Sequence, residues 1–216
     1  MNTINKLNKA TIITSYIEGN ENEILKLLSN AKNTYIICAD GGYEFALKAN
    51  IVPNLIVGDF DSLNTNLPTS VDIIKVPTEK DDTDLQLALK ICLKKNITNV
   101  DIIGGIGGRV DHTIGNIQNL VHYTLQGINI NMFDTRQIIT IQLPSTKKYH
   151  KKSNYQFSLF AHSEFAEGVT ITGGHYSLNN DTINNSFPIG ISNQFEEDYI
   201  EVSFESGILV IVMSSL

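Results

Sequence analysis

No apolar run in this chain approaches the roughly 20 residues that a helix needs to cross a hydrocarbon core. The longest, Ile208 to Met213, reads as a core strand. The N-terminus carries Lys6 and Lys9 but no apolar segment of signal-peptide length, so a cytoplasmic protein away from the membrane is expected. Cysteine is scarce: Cys38 and Cys92 both sit inside apolar segments, far from metal-ligand spacing. They read as small core residues in a reducing compartment. Positive charge is in deficit, with 16 Lys and Arg against 23 Asp and Glu and a net charge of -7. That balance argues against a nucleic-acid or anionic membrane surface, since both favour a basic face. A nucleotide remains compatible with it, because a metal ion can neutralise phosphate locally. Tandem repeats are missing too, and the Gly-Gly pairs follow no period.

What is present is ordinary globular material, 216 residues with 42% hydrophobic and 18% charged, enough for one large domain or two small ones. Apolar runs at Thr11 to Tyr16, Thr34 to Ala39, Leu55 to Val57, Val71 to Val76 and Asn99 to Ile103 read as strands, the second and third of them buried. Helical spacing separates most of them, from about Glu21 to Ser29, Tyr43 to Asn50, Leu85 to Leu93 and Asp111 to Gln126. Strand, helix, strand at this spacing predicts βαβ units, hence a mainly parallel sheet with right-handed crossovers. Thr83 with Gln86 three residues on predicts a capping box at the third helix, and Gly127 is expected just past the end of the fourth.

Beyond Gly127 the period shortens to two. Ile128 to Met132, Ile138 to Leu143, Tyr155 to Leu159, Val169 to Ile171 and Ile200 to Phe204 alternate, and a turn at Glu205-Ser206-Gly207 precedes Ile208 to Met213. Short strands with turn signals predict an antiparallel sandwich. The expected architecture is an α/β N-terminal domain with a mainly parallel sheet, residues 1–134, followed by an all-β antiparallel sandwich domain, residues 135–216. The lysines Lys147, Lys148, Lys151 and Lys152 are expected in a solvated loop.

The stretch that organises the chemistry is Gly58-Asp59-Phe60-Asp61-Ser62, directly after the third strand. Period-two alternation would turn Asp59 and Asp61 the same way. Two such carboxylates repel by about 4 kcal/mol at about 4 Å and an effective dielectric of about 20. A hard cation such as Mg²⁺ relieves that cost, although the residue types alone also suit a plain turn. Asp40-Gly41-Gly42 ends the second strand, so both strands deliver an acid to the carboxyl edge, where open α/β sheets bind ligands. Asp84 falls in the first turn of the third helix, where dipole complementarity alone would suit it. Gly104-Gly105-Ile106-Gly107-Gly108-Arg109-Val110-Asp111-His112 follows the fifth strand and opens a helix. Four glycines in five positions allow backbone amides to approach an anion, yet no Lys-Ser or Lys-Thr closes the loop as in a P-loop. His112 could act as a base or brace the loop, and Asn116 could touch a nucleotide or cap the loop. His122 is expected to be an ordinary helix residue.

Taken together and in order, Asp40-Gly41-Gly42, Gly58 to Ser62, Lys80-Asp81-Asp82-Thr83-Asp84 and Gly104 to His112 resemble thiamine pyrophosphokinases. Thr172 to Asn180 and Gly190-Ile191-Ser192-Asn193-Gln194-Phe195 resemble that family's C-terminal motifs, especially those of its bacterial branch. The resemblance implies transfer of the pyrophosphoryl group of ATP to the hydroxyl of thiamine, with AMP released. It implies Mg²⁺ held by Asp40, Asp59, Asp61 and Asp84, and a nucleotide and acceptor site lined by Arg109 and Asp111. The glycines Gly41, Gly42, Gly104, Gly105, Gly107 and Gly108, together with His112 and Asn116, would border the nucleotide. It further implies a homodimer with shared active sites, in which Ser192 and Asn193 of one chain reach the thiamine of the other.

Two departures stand out. The chain has no Trp, whereas animal members place one beside thiamine, so Ile191 or another apolar residue would supply that packing. Gln194 stands where bacterial relatives often carry Glu. The rival readings are a metal-dependent nucleotidyl- or glycosyl-transferase, which leaves Ser192 and Asn193 without a role, and a non-catalytic nucleotide- or thiamine-binding module.

Overall fold

The computed structural model describes residues 8–31, 33–61, 66–77 and 81–216. They fall into two compact units, one ending at Thr135 and the other beginning at Arg136. Ser62 and Lys80, which complete two of the motifs, lie outside the described residues.

In the first unit six strands pair in parallel: β1 (Lys9–Ile13), β2 (Tyr35–Ala39), β3 (Leu55–Gly58), β4 (Asp72–Lys75), β5 (Asn99–Ile103) and β6 (Asn129–Phe133). Their order across the sheet is β4-β3-β2-β1-β5-β6. All four residues of β3 are buried, which is why this strand reads as an unbroken apolar run rather than an alternating one. Helices α1 (Glu21–Leu28), α2 (Gly42–Lys48), α3 (Asp84–Lys94) and α4 (Val110–Thr124) connect the strands. Part of the core gathers Ile13, Leu28, Cys38, Tyr43, Ala46, Ile56 and Ile103. Cys38 and Cys92 are free and buried, and burial pushes both thiols up to about 12.

The local signals account for where helices begin. Asn20 and Glu23 form a capping box at α1, and Thr83 with Gln86 forms the predicted one at α3. Gly127, at a φ of 89°, sits one position further past the cap residue Leu125 than expected. Its N–H donates to the Thr124 carbonyl at 3.0 Å.

Strand β6 corrects one reading. Its alternation resembles that of the later strands, yet it pairs in parallel with β5 and belongs to the first sheet. As an edge strand within its unit it is covered less evenly, with a buried residue at every second position.

The second unit contains two antiparallel sheets. β7 (Gln137–Gln142), β13 (Leu209–Ser215) and β9 (Tyr155–Ala161) form one, with β13 central. β11 (Leu178–Asn184), β10 (Phe165–Thr172), β12 (Tyr199–Ser203) and β8 (Thr146–His150) form the other. Phe157, Leu159 and Ile211 from the first share one buried cluster with Val169, Ile171, Ile200 and Val202 from the second, as a sandwich requires.

Two strands here went unanticipated. Lys147 and Lys148 are on β8, an edge strand, and only Lys151 and Lys152 follow in a turn. Lysine on an edge discourages further strand pairing, and Lys148 also lies 4.0 Å from the centroid of the Tyr199 ring. β11 is polar and mostly exposed, with Ile183 its one buried residue, so no apolar alternation announced it. Among the described residues no helix is long and apolar enough to cross a membrane.

Candidate active site

The sheet order reverses between β1 and β5: the chain builds outward from β1 to β4, then returns to β1's other side. Open parallel sheets leave a crevice at such a point. Here the loops leaving the two strands are tied together. The Thr14 N–H donates to the Ile103 carbonyl at 3.0 Å, and Gly105 N–H donates to the Tyr16 carbonyl at 2.9 Å. The Thr14 hydroxyl reaches the same Ile103 carbonyl at 3.2 Å. Gly104 has a φ of 91°, and a Cβ there would fall 2.2 Å from the Tyr16 oxygen, so both backbone shape and space call for glycine.

Helix α4 pins the glycine loop from its other side. Asn116 Nδ2 donates to the Gly105 carbonyl at 2.8 Å. The Thr113 hydroxyl accepts from Gly107 N–H at 3.1 Å and donates to the Gly107 carbonyl at 3.3 Å. Arg109 stands at the N-cap position of α4 without a side-chain cap bond and forks onto Asp111, Nε to Oδ1 at 3.2 Å and Nη2 to Oδ2 at 2.5 Å. That hydrogen-bonded guanidinium holds the Asp111 carboxyl below the usual carboxylate range, and Asp111 in turn raises Arg109. Both side chains are well exposed, so the fork is in reach of solutes.

A cleft of about 820 Å³ opens along this junction, within the size range of small-molecule sites. Of the residues anticipated from sequence, Asp84, Gly105, Gly107, Arg109, Asp111, His112 and Asn116 line it. Asp40, Gly41, Gly42, Gly104, Gly108, Asp59 and Asp61 stand outside its lining, although Ala39, next to Asp40, is part of it.

Asp40 and Asp59 follow the ends of adjacent strands. Asp40 N–H donates to the Val57 carbonyl at 2.8 Å, and a Cβ on Gly58 would lie 3.0 Å from the Asp40 Cα. Asp61 does not face Asp59 through the pleat as expected. β3 stops at Gly58, Phe60 takes a φ of 64°, and Asp61 N–H donates to Asp59 Oδ1 at 3.2 Å. A turn therefore sets the two carboxylates, and Phe60 packs on the core. Among the described residues no three His, Cys, Asp or Glu side chains converge as a metal cage. Asp40, Asp59, Asp61 and Asp84 thus follow strand ends and a helix start on one edge without surrounding a single point.

Ser192 and Asn193 belong to the second unit. Ser192 is exposed at a φ of 59°, with its N–H donating to Ser158 Oγ at 3.0 Å. Asn193 is only 4% exposed. Its Oδ1 accepts from Tyr176 N–H at 2.9 Å and its Nδ2 donates to the Tyr176 carbonyl at 2.7 Å. Its amide thus braces the Tyr176 loop, leaving Ser192 as the exposed member of the pair.

Sequence reasoning missed one wall of the cleft. Thr14, Ser15 and Tyr16 line it from the end of β1, and Gln118, Asn119 and His122 from α4. His122, expected to be an ordinary helix residue, stands on the cleft wall. Extending the helical face that holds Asp111 by three- and four-residue steps would have found it. The β1 residues carried no such signal, because their role depends on where the sheet order reverses.

A guanidinium beside a backbone-lined loop suits phosphate, and the cleft stands at a sheet reversal, where open α/β folds bind ligands. The family model described as "Thiamin pyrophosphokinase, catalytic domain" matches residues 25–132, and "Thiamin pyrophosphokinase, vitamin B1 binding domain" matches residues 138–209. The thiamine pyrophosphokinase of Bacillus subtilis is 33% identical over 190 residues, covering 85% of this chain and 89% of that protein. The crystal structure of the Bacillus subtilis enzyme superposes with a TM-score of 0.85 at 32% identity, over 96% of this chain and 99% of the other. That of the Geobacillus thermodenitrificans enzyme gives 0.81 at 26%, over 96% and 98%. The chain belongs to the thiamine pyrophosphokinase family, enzymes that transfer the pyrophosphoryl group of ATP to thiamine.

Proposed function

We propose that the cleft at the β1–β5 junction is where this chain brings ATP and thiamine together, giving thiamine diphosphate and AMP. The observation that carries the assignment is the Arg109–Asp111 fork standing at the start of α4, beside a glycine loop fixed on both sides. Transfer of this kind asks a protein mainly for positioning and charge neutralisation. Arg109 exchanges Asp111 for the phosphates and stabilises their charge, which a planar guanidinium does well. The glycine loop holds the triphosphate through backbone amides.

The donor set along the edge, Asp40, Asp59, Asp61 and Asp84, is all carboxylate oxygen and fits Mg²⁺. That ion takes one or two protein carboxylates and completes its shell with water and substrate phosphate, so a cage closed by protein alone is not required. When bound there it would neutralise charge on the phosphates. Asp84, on the cleft wall, additionally accepts the thiamine hydroxyl proton or orients that hydroxyl. The acidic edge also attracts the thiazolium cation.

The second unit supplies the thiamine side of the site and the dimer contact, a reading supported by the match of residues 138–209 to the vitamin B1 binding domain. In a homodimer with shared sites, the partner subunit's Ser192 approaches the pyrimidine ring. A cytoplasmic location agrees with two free, buried thiols.

The test is substitution in the purified protein assayed with ATP, thiamine and Mg²⁺. Asp61→Asn lowers turnover by several orders of magnitude with an unchanged far-UV spectrum. Near-normal activity would remove Asp61 from the metal set. Light scattering gives a dimer, and a fully active monomer would reject the shared site.

A further inference from the structure

Helix α4 presents one face to the cleft along most of its length, with Asp111, Gly115, Gln118, Asn119 and His122 all on the wall. Asn119 differs from the others. It is 8% exposed, and among the described residues its carboxamide makes no hydrogen bond to protein, yet its polar atoms are not sealed from solvent. Buried polar side chains are nearly always paired, with protein or with water, and a ligand covering this amide must replace the water it removes. Asn119 lines the cleft, so a ligand that fills the cleft displaces that water and can supply the amide's partner.

The position says which part of a ligand. Asn119 lies ten residues beyond Arg109, about 15 Å along the helix axis, comparable with the distance from the terminal phosphate of an extended nucleoside triphosphate to its base. Gly115, one turn nearer the phosphates, leaves open space: a Cβ there would meet nothing within 4 Å. A flat ring can therefore pass in front of the helix and reach Asn119. A carboxamide offers an acceptor and a donor side by side, which matches the 6-amino group of adenine and its neighbouring ring nitrogen.

We infer that Asn119 reads the base of the donor nucleotide, Oδ1 accepting from the adenine amino group and Nδ2 donating to the adjacent ring nitrogen. The inference rests on ATP occupying this cleft, as proposed above. Asn119 is a specificity-determining residue and takes no part in bond making.

The test compares ATP with purine riboside 5′-triphosphate, which lacks the 6-amino group, in the full-length protein with thiamine and Mg²⁺. The native chain favours ATP in kcat/KM by about tenfold, the discrimination expected for one buried hydrogen bond. In Asn119→Leu, close in volume but apolar, that ratio falls to about one while the KM for thiamine is unchanged. Asn119→Ala removes the amide without added bulk and gives the same collapse, which separates base reading from a folding defect. A purely structural role would lower kcat/KM for both donors together and preserve the ratio, overturning the inference. A preserved ratio with a raised thiamine KM would also overturn it, assigning the amide to the aminopyrimidine of the acceptor. Absence of thiamine diphosphate with the native chain would refute the functional reading instead. Calorimetric binding of the two triphosphates then still decides whether Asn119 distinguishes them.

Discussion

Gly42 offers a sharp check on how the carboxyl edge is built. It is the first residue of α2, and a Cβ added there would lie 2.0 Å from the carbonyl oxygen of Ile13 and 2.7 Å from its carbon. These are backbone atoms of the central strand β1, hydrogen-bonded in the sheet, so α2 rather than β1 must give way. Overpacking of this kind costs about 1–3 kcal/mol. Gly41, immediately before it, provides the matched control. Its φ of -57° is open to any residue, and a Cβ there would meet Ser15, its Cβ at 3.2 Å and its Cα at 3.6 Å. Gly41→Ala should therefore be near neutral or stabilise by up to about 1 kcal/mol through the unfolded chain. With about 2–4 °C per kcal/mol for a protein of this size, a difference of about 1–4 kcal/mol puts Gly42→Ala roughly 2–16 °C below Gly41→Ala. Calorimetry or thermal circular dichroism reads the difference. Because Asp40 immediately precedes this pair, Gly42→Ala also loses more activity than its stability at assay temperature would explain. A Gly42→Ala protein that melts with or above the Gly41→Ala protein would refute the close approach of α2 to β1.

Three further expectations follow from the same geometry. Thr83→Ala removes the acceptor for Gln86 N–H and costs about 0.5–2 kcal/mol, read by denaturant melts, whereas Thr83→Ser retains most of that stability. Arg109→Ala raises the KM for ATP and lowers kcat with little change in thiamine binding, and Arg109→Lys restores little of it because an ammonium lacks the fork; a defect in thiamine KM alone would contradict the assignment. Cys38 and Cys92, with thiols pushed by burial from 9.0 to about 12, resist alkylation in the folded protein at pH 8 and react only on unfolding. Since the folded values are the higher ones, their contribution is intact below about pH 9 and is lost as pH rises from there through about 12. Alkaline melts of the native protein and Cys38→Ala measure it.

Much of this architecture was legible because local and global signals agreed. Unbroken apolar runs such as Leu55-Ile56-Val57 announce strands covered on both faces, and the Thr83 capping box marked the start of α3. Where they misled, the cause was tertiary. Phe60 turns back onto the core at positive φ, which ends the pleat and sets Asp59 and Asp61 by a turn. Lys147 and Lys148 read as a loop because charge dominates an edge strand whose inward residue, Tyr149, is a lone apolar signal. The site was half legible: the glycine loop and its acids lie in one contiguous motif. Tyr16 and Asn119 gain their roles only once the sheet order and the packing of α4 are known, and neither belongs to a motif.

As a thiamine pyrophosphokinase family member, this chain moves a pyrophosphoryl group, not a single phosphoryl group, from ATP to thiamine. The most direct measurement uses ATP labelled at the β-phosphorus, with Mg²⁺, in the presence and absence of thiamine. Thiamine-dependent release of unlabelled AMP, in step with label appearing in thiamine diphosphate, is the expected result. ADP as the leaving product, or AMP formed at the same rate without thiamine, would contradict it.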